Sequence, residues 1–538
     1  MTHQGEPAEH VLAVIDLLLT VGYIDGRFHE REESFIRQYM TRLVERFAGN
    51  EEQQDDWRTR VNAAYDELAA EVSALAAEVV AAGDDSYMAT RLKVRAVALF
   101  RGFAPADQKV ALELLRAIMR SDGEVSANEQ GIYDELVVLF NAAPMLPLPA
   151  AAPRAPAADI LRIEGMQMPE LSTYSHPMLD AIERPYSTDP AALHTQLAND
   201  YHLVFAAISV WERQRARGNG RLFGINAIHQ LPSGTQFLDG HVYVMRPSAP
   251  TELVVLGDLH GSYACFKAAL LQSKFIERAL RHQQDPAKNP DVKLVLLGDY
   301  IDRGTFGFEG VLRAALHLLV SLPDNVIMLR GNHELFMRAG DRISSAVTPA
   351  EALPLLAKSA PIELLEAYRH LFERMPTSLL FERTLFVHGG VPKDDTLNKI
   401  RDLSSLDDPA VRFEMMWSDP VQTDQVPVEL QRANPRFSFG RDQFRAFMQR
   451  IGCDTMIRGH EQIATGFKTI FDIGDHKLHS LFSVGGRDNI DLPPESRYRN
   501  VRPMALTVHA RGGAPTAVPW PIDYKHFVSA TNNGLYRA

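Results

Sequence analysis

The chain has 538 residues, of which 46% are hydrophobic and 23% are charged, and its formal net charge is −12 at pH 7. This length exceeds what one hydrophobic core supports and indicates about two to four domains, while the composition is that of an ordinary globular protein. The acidic balance disfavours a general nucleic-acid surface, because phosphate backbones are bound by clustered Lys and Arg.

The cysteines and the amino-terminal region indicate the compartment. The two cysteines, Cys265 and Cys453, lie in unrelated segments whose spacing suits neither a disulfide framework nor a zinc site, so a reducing cytoplasm is predicted. The first residues are polar and lack the charge pattern of a signal peptide. The most apolar early run, 11–24, contains Asp16 and is too short to span a bilayer, so no membrane segment is predicted.

Residues 1–141 are predicted to form a small all-α domain. Apolar residues recur at spacings of three and four, as in Val11, Val14, Ile15 and Leu18. This is the period of one buried face of a helix. No strand pattern interrupts the region.

Two turns in this region resemble each other. Asp25 and Asp122 each precede a glycine, and a glutamate follows each aspartate after seven residues, at Glu32 and Glu129. The simpler interpretation is a tight turn followed by the start of the next helix. The alternative is a cation site at these four carboxylates, related to an EF-hand loop but differently spaced. The region resembles the TerB-like helical domains of tellurite-resistance and bacterial stress systems, some of which bind metal, and this resemblance implies a protein partner.

A linker and an extension follow. Residues 142–159 contain five prolines in eighteen residues, which is typical of an extended, semi-stiff linker. Residues 160–250 are predicted to be an extension packed on the next domain. A helix is expected over 202–214, and a hairpin is expected over 236–245 around Asp239-Gly240.

The most informative stretch is 253–334, where three short apolar runs each end in metal-ligand residue types. The runs 253–256, 294–297 and 326–329 lead into Gly257-Asp258-Leu259-His260-Gly261, Gly298-Asp299-Tyr300-Ile301-Asp302-Arg303-Gly304 and Arg330-Gly331-Asn332-His333-Glu334. Continuous apolar runs of about four residues are typical of strands buried on both faces. Helix-compatible segments at 263–282 and 308–322 lie between them, so a βαβαβ unit is predicted.

Two further runs, 385–387 and 456–457, precede two more histidines. The candidate ligands at the ends of the five runs are Asp258, His260, Asp299, Asn332, His388 and His460. Functional residues of open α/β sheets collect at the carboxyl ends of strands, and imidazoles mixed with carboxylate and amide oxygens suit Mn, Fe or Zn. Six ligands are too many for one tetrahedral ion, whereas two ions sharing a carboxylate would use them all. The alternative is that these residues cap helices or satisfy backbone groups.

The five motifs resemble those of the calcineurin-like metallophosphoesterases, and in particular the PPP-type protein serine/threonine phosphatases, over about residues 251–489. The segments Trp417-Ser418-Asp419-Pro420, Asn434-Pro435-Arg436-Phe437-Ser438-Phe439-Gly440 and Gly459-His460-Glu461 follow in the family's order. The resemblance implies an α/β fold, an αββα metallophosphoesterase sandwich, in a domain spanning 251–538 and preceded by the small all-α domain.

The resemblance also implies how the ligands divide between two divalent transition-metal ions, with Mn expected first and Fe or Zn as alternatives. One ion would be held by Asp258, His260 and Asp299, and the other by Asp299, Asn332, His388 and His460. Asp299 would then bridge the ions. A hydroxide held between them would attack phosphorus directly, without a phosphoenzyme.

Four further roles follow from the resemblance. His333 would donate a proton to the leaving group, and Asp302 would orient its imidazole. Arg303 and Arg436 would bind phosphate oxygens, because a planar guanidinium matches two of them. Arg330, between a strand and a glycine, is instead expected to be a structural hydrogen-bond donor.

The chain departs from the family in two places. Val484-Gly485-Gly486 stand where the eukaryotic enzymes carry a loop whose tyrosine overhangs the site, so no aromatic side chain is expected there. The stretch 335–375 also lacks the family's usual sequence. Substrate recognition is therefore expected to differ, while the hydrolytic chemistry is not.

The expected function is that of a cytoplasmic phosphoprotein phosphatase acting on phosphoserine or phosphothreonine, with a helical module that senses or docks. The segments 302–304 and 332–334 favour this activity over dinucleoside polyphosphate hydrolysis, but a scaffold does not fix its substrate, so a nucleotide hydrolase is the alternative enzyme. A stress-system interaction or sensor protein with a vestigial site is the alternative of another class. The completeness of the ligand set argues against it.

Overall fold

The computed structural model describes residues 6–24, 28–47, 51–80, 85–121, 123, 125–141, 160–340, 342–511 and 514–537. The chain divides into two compact units. The helical unit comprises Met1–Ala150 with Val421–Gly440, and the sheet unit comprises Ala151–Pro420 with Arg441–Ala538.

Helices occur in both units. In chain order they are α1 (Glu6–Gly22), α2 (Glu30–Phe47), α3 (Glu51–Val80), α4 (Asp85–Gly102), α5 (Pro105–Ile118), α6 (Ala127–Asn141), α7 (Pro177–Asp180), α8 (Pro190–Gly218), α9 (Tyr263–Gln272), α10 (Phe275–Gln284), α11 (Arg313–Ser321), α12 (Ala352–Leu356), α13 (Ile362–Arg374), α14 (Asp394–Leu397), α15 (Pro409–Trp417), α16 (Val428–Arg432) and α17 (Arg441–Ile451).

The strands are mostly short. In chain order they are β1 (Arg162–Ile163), β2 (Thr235–Asp239), β3 (Val242–Arg246), β4 (Thr251–Leu256), β5 (Asp291–Leu296), β6 (Val326–Met328), β7 (Phe336–Ala339), β8 (Arg342–Ser345), β9 (Ser378–Phe381), β10 (Thr384–Val387), β11 (Ser418–Pro420), β12 (Phe437–Phe439), β13 (Thr455–Arg458), β14 (Phe467–Ile473), β15 (His476–Leu481), β16 (Met504–Ala510) and β17 (Thr516–Pro521).

The helical unit is built around one apolar core. Within the described residues up to 141, the helices α1–α6 confirm the predicted helical region. Their buried faces include Leu18 of α1 and Leu115 of α5, both fully buried. Leu430 of α16 belongs to the same core, so the segment 421–440 is part of this unit although it lies far along the chain.

Two large sheets and the small two-stranded sheet β7–β8 lie in the described part of the sheet unit. The first has the order β1-β17-β16-β4-β5-β6, and the second has the order β14-β15-β13-β10-β9-β3-β2. The pairs β4–β5 and β5–β6 are parallel, which confirms the predicted βαβαβ arrangement. Leu253 of the first sheet and Phe386 of the second are fully buried in one hydrophobic core. Apolar residues buried from both faces explain why these strands read as continuous apolar runs.

Several predicted elements differ from the observed ones. The helix predicted over 263–282 is two helices, because Lys274 has a left-handed φ of 52° that cannot continue a right-handed helix. The segment predicted as a helix over 308–322 begins with a π-helical turn, Gly307–Leu312, before α11. The hairpin predicted over 236–245 is confirmed as β2 and β3. Near the end of the chain, β16 and β17 pair antiparallel.

The length and hydropathy of the helices bear on whether any of them could cross a membrane. Across the ranges that the structure describes, no helix is both long enough and apolar enough to cross a membrane.

Candidate active site

The carboxyl ends of strands from both sheets supply the candidate ligands. Asp258 follows β4, Asp299 follows β5, and Asn332 follows β6. His388 directly follows β10, and His460 follows β13, which pairs in parallel with β10. All of these residues belong to the sheet unit. The structure therefore brings together the residues that the apolar runs pointed to.

The backbone turns sharply at these strand ends. Five non-glycine residues have left-handed φ values between 41° and 71°, namely His260, Asp299, Asp302, Arg303 and His460. This region is uncommon for residues with a Cβ atom and costs conformational free energy. Because several such residues lie together at these strand ends, the surrounding hydrogen bonds must hold their side chains in a required orientation.

Asp299 faces a different histidine with each of its two carboxylate oxygens. Oδ1 of Asp299 lies 3.3 Å from Nε2 of His388. Oδ2 of Asp299 lies 3.5 Å from Nε2 of His260. Two sets of atoms that could hold a cation share this residue: one includes His260 and His333, and the other includes His388 and His460.

The second set converges on one nitrogen. Nε2 of His388 lies 2.9 Å from Oδ1 of Asn332 and 3.1 Å from Nδ1 of His460. Nδ1 of His388 lies 3.0 Å from the carbonyl oxygen of Leu297, which fixes the ring and leaves Nε2 toward the cluster. Burial opposes protonation of His388, but the Asp299 carboxylate outweighs it and raises the pKa to about 8. The cluster thus attracts positive charge.

Asp258, which lies beside His260 of the first set, has one buried oxygen without a hydrogen-bond partner among the described residues. Oδ1 of Asp258 accepts a hydrogen bond of 2.8 Å from the backbone N–H of His460. Among the described residues, Oδ2 of Asp258 has no hydrogen-bond partner, and it lies 3.7 Å from Nε2 of His260. Burial and the Asp299 carboxylate raise the pKa of Asp258 to about 7, whereas burial lowers the pKa of His260 to about 3. Buried polar atoms without partners are costly, so these residues fit a bound cation.

His333 lies beside the cluster and is held by Asp302. Nδ1 of His333 lies 2.8 Å from Oδ2 of Asp302, and Nε2 of His333 lies 3.9 Å from Oδ2 of Asp299. Oδ1 of Asp302 accepts hydrogen bonds from the backbone N–H groups of Glu351 and Ala352, at 2.9 and 2.7 Å. Burial opposes protonation of His333, but the Asp299 and Asp302 carboxylates outweigh it and raise its pKa above the usual value.

Glu334 is a positioning residue that the sequence analysis did not identify. Its carboxylate accepts hydrogen bonds from the backbone N–H groups of Asp299, Tyr300 and Gly331, at 2.8, 2.9 and 3.1 Å. It therefore holds the turn after β5 against the turn after β6. In the sequence, only its position directly after His333 indicated that Glu334 could lie near the cluster.

Arg458 is a second residue that the sequence analysis missed. Its guanidinium is fully buried and donates to Oδ1 of Asp419 at 2.9 Å and to Oε2 of Glu461 at 2.6 Å. Oδ1 of Asp419 also lies 3.8 Å from Nε2 of His460. The ion pair between Arg458 and Asp419 connects the segment 417–420 to the loop that carries His460. This contact gives the segment a structural role beside the ligand motifs.

The candidate phosphate-binding arginines are in different units. Arg303 belongs to the sheet unit, where its Nη1 lies 3.1 Å from Oε1 of Glu351. Arg436 belongs to the segment 421–440 of the helical unit, and its role stays a prediction. Arg330 donates through Nε to the carbonyl oxygen of Glu334 at 2.9 Å, as expected of a structural donor.

Residues 484–486 carry no aromatic side chain, but a tyrosine from a later segment lies at the cluster. The ring of Tyr498, in the short 3₁₀ helix Arg497–Asn500, stacks on His260 with centroids 5.3 Å apart and planes 24° apart. It also contacts Phe482, with centroids 5.2 Å apart. The segment after the substituted loop supplies this ring, and no local pattern around Val484 could indicate it.

The carboxylates of the two N-terminal turns are only partly described. Asp25 and Asp122 lie outside the described residues. Glu32 accepts a hydrogen bond of 2.8 Å from the backbone N–H of His29. Glu129 accepts one of 2.7 Å from the N–H of Ser126, whose hydroxyl accepts from the N–H of Glu129 at 3.2 Å. Both glutamates thus act at helix starts, and the cation site stays a prediction.

Known proteins resemble this chain over its central part. Residues 251–464 match the model of the calcineurin-like phosphoesterases. A serine/threonine-protein phosphatase of Caenorhabditis elegans is 29% identical over 238 residues, which are 43% of this chain and 46% of the relative. A probable serine/threonine-protein phosphatase of Encephalitozoon cuniculi is 24% identical over 317 residues, which are 55% of this chain and 65% of the relative. The matches cover less than two thirds of either relative.

A solved structure gives a further comparison. A protein serine/threonine phosphatase of Saccharomyces cerevisiae has 16% sequence identity and a TM-score of 0.39, covering 60% of this chain and 89% of its own.

The chain therefore contains a calcineurin-like metallophosphoesterase domain with the mixed α/β fold of that family. Its relatives in sequence include serine/threonine phosphatases at modest identity, and a helical region precedes the domain along the chain. The resemblance of this helical region to TerB-like domains stays a prediction.

Proposed function

We propose that the protein is a dinuclear metal-dependent phosphomonoesterase that acts on phosphoserine or phosphothreonine in proteins. The observation that carries the proposal is the carboxylate of Asp299, one oxygen of which lies near His388 and the other near His260. One carboxylate shared by two groups of donors is the arrangement that a two-metal site needs. The names of the relatives in sequence support the substrate class.

The residues of the cluster divide between two ions in this proposal. Asp258, His260 and Asp299 hold one, and Asp299, Asn332, His388 and His460 hold the other. When bound, two divalent ions supply Lewis acidity toward a phosphoryl oxygen and a water of lowered pKa. Mn is the expected metal because the ligands mix imidazole with carboxylate and amide oxygens, and Fe or Zn are the alternatives.

His333 supplies the proton for the leaving alkoxide through Nε2. The contact between Nδ1 and Asp302 fixes the ring orientation, and the raised pKa of His333 favours the imidazolium form that can donate. Proton donation of this kind increases rates by about a hundredfold to ten-thousandfold.

Arg303 binds the phosphate in this proposal, and the phosphate role of Arg436 stays a separate prediction from the sequence. For Arg303 this requires an exchange of partners, since its Nη1 contacts Oε1 of Glu351. A phosphate dianion is a stronger partner than one half-exposed carboxylate, because a guanidinium can bind two of its oxygens at once. In the same proposal the protein acts in the cytoplasm, and the helical unit docks a protein partner.

The experiment that tests the proposal is Mn-dependent hydrolysis of a phosphoserine peptide and, in parallel, of diadenosine tetraphosphate. The intact protein is compared with Asp299→Asn and with the control Asp488→Asn, whose side chain is 65% exposed. The proposal expects faster turnover of the peptide, no measurable turnover by Asp299→Asn, and an unchanged rate for the control. Purified protein should hold about two ions per chain.

The other outcomes distinguish the alternatives. Cleavage of the dinucleotide alone would keep the chemistry but replace the substrate class with nucleotides. No turnover of either substrate, together with little bound transition metal, would support an interaction protein with a vestigial site.

A further inference from the structure

A cavity of about 540 Å³ lies within the sheet unit beside Arg303. Its volume is in the range of about 300–1,000 Å³ that is usual for ligand sites. Most of its lining comes from three segments, 185–197, 303–309 and 351–359, and Pro493 completes it. The segment 185–197 lies before the residues that match the phosphoesterase family, 251–464, so this wall lies outside the matched region.

The cavity shares residues with the candidate active site. Arg303, the proposed phosphate ligand, is one of its lining residues, and so are Glu351 and Ala352. The backbone N–H groups of Glu351 and Ala352 bind Oδ1 of Asp302, while Oδ2 of the same carboxylate holds His333. One side chain therefore joins the wall of the cavity to the proposed proton donor.

Buried polar contacts keep the first wall in place. Arg313 donates to both carboxylate oxygens of Asp200 at 2.8 Å, and the Tyr186 hydroxyl donates to Asp200 at 2.7 Å. The backbone N–H of Tyr186, a lining residue, donates to Oε2 of Glu309 at 2.6 Å. A bidentate, buried guanidinium–carboxylate pair fixes geometry as well as charge. The cavity is thus preformed.

The lining suits an uncharged, apolar group. Leucine side chains contribute from two walls, Leu193 and Leu197 from α8 and Leu355 and Leu356 from the 351–359 segment. The lining contains two carboxylates, Glu309 and Glu351, and one cation, Arg303, which the proposed function assigns to the phosphate. This charge balance disfavours the anionic remainder of a dinucleoside polyphosphate.

We propose that the cavity is a specificity site for a bulky apolar side chain of a phosphopeptide, close in sequence to the phosphorylated residue. This inference rests on the proposed function. In an extended peptide, side chains on one face are separated by about 7 Å. A residue two positions from the phosphoserine therefore lies within reach of a site that shares Arg303 with the phosphate.

The test uses phosphoserine peptides that carry either Leu or Ala two positions before or after the phosphoserine. The intact protein is compared with Leu193→Trp, which fills the cavity, and with Leu355→Ser, which removes an apolar side chain that is 62% exposed. The matched controls are His194→Trp and Lys358→Ser, at exposed positions on the same segments that do not line the cavity. N-acetyl-phosphoserine amide, which has no flanking side chains, reports the basal activity.

The expected result is a preference of about tenfold in kcat/KM for Leu over Ala at one of the two positions. Both cavity variants should reduce this ratio toward one and leave hydrolysis of the amide unchanged, and both controls should keep the ratio. Peptide hydrolysis without any such preference, or a preference that survives in both cavity variants, would overturn the inference and leave the proposed function standing. If nucleoside monophosphates are hydrolysed and Leu193→Trp slows that reaction instead, the cavity binds a base. Failure to hydrolyse any phosphopeptide overturns both proposals.

Discussion

Two sets of buried carboxylates in this chain face different partners. Asp258 and Asp299 at the strand ends are 0% and 2% exposed, and Glu32 and Glu129 at the helix starts are 2% and 6% exposed. The glutamates accept hydrogen bonds from backbone N–H groups three residues before them. The aspartates face imidazoles and each other, across separate strands.

The difference shows that burial of a carboxylate does not by itself indicate a metal site. A carboxylate that accepts the N–H groups at a helix start has a structural role that is complete without an ion. A carboxylate among imidazoles, with one oxygen lacking a hydrogen-bond partner in the described part of the chain, gains most from a cation. Substitutions at the two sets of carboxylates and at the residues around them test this contrast.

The largest effect is expected where a side chain of the cluster acts on the substrate. His333→Gln should lower kcat for a phosphoserine peptide by about a hundredfold to ten-thousandfold, because it removes the proposed proton donor. The metal content, measured by elemental analysis, should not change. His370→Gln, at a half-exposed position, serves as the control. Loss of an ion from His333→Gln would instead make His333 a ligand.

Replacing Glu334 should lower the affinity of the cluster for metal. Its carboxylate orients the turn that carries Asp299, and removing such a supporting group usually lowers metal affinity by about tenfold to a hundredfold. Competition with a chelator should show this loss in Glu334→Gln and not in Glu363→Gln, an exposed glutamate of α13. Equal affinities would mean that backbone geometry alone positions Asp299.

Glu252 offers a structural carboxylate on β4, the strand that leads to Asp258. Burial opposes its ionisation, but the nearby His509 and Arg278 side chains outweigh this and lower its pKa to about 2. Because the folded-state pKa is below the unfolded value of about 4.3, the stabilisation is complete above that value and is lost as the pH falls toward 2.

Glu252→Gln should therefore reduce the free energy of unfolding by about 1–3 kcal/mol at pH 7, and the deficit should shrink at pH 3. Urea unfolding at the two pH values measures it, with the exposed Glu170→Gln as the reference. Activity at pH 7 should stay near that of the intact protein. A deficit that is the same at both pH values would contradict the assigned ionisation.

The smallest effect is expected at a helix start. Glu129→Ala removes one half of a capping box and should cost about 1 kcal/mol of stability, without changing kcat. Thermal unfolding with and without Mn, compared with the neighbouring exposed Asn128→Ala, provides the measurement. If Mn stabilises the intact protein but not Glu129→Ala, while the phosphatase cluster is saturated in both, the turn binds a cation and the contrast fails.

The parts of the fold that sequence could predict are those that local pattern determines. The runs before Asp258 and Asp299 became β4 and β5 because four adjacent apolar residues can be buried from both faces only in an interior strand. The helical region could be predicted because its apolar residues recur with the constant period of a helix. The break between α9 and α10 could not be predicted in this way. The left-handed backbone of Lys274 lies within a continuous helical pattern, and tertiary packing imposes it.

The unpredicted parts of the site depend on long-range contacts. Glu334 binds the backbone of Asp299, 35 positions away, and Arg458 pairs with Asp419, 39 positions away. Tyr498 reaches His260 from a segment with no motif. Motif spacing identifies residues at strand ends, but it does not report which side chains meet once the two sheets are assembled.

Asp302 holds the segment 351–359 by the main chain, because it accepts the N–H groups of Glu351 and Ala352 and not their side chains. Every residue except proline carries such an N–H group. Mutations in this segment can therefore change the shape of the cavity while its attachment to the catalytic machinery is retained. A recognition surface anchored in this way can diverge toward new targets without re-evolving the chemistry.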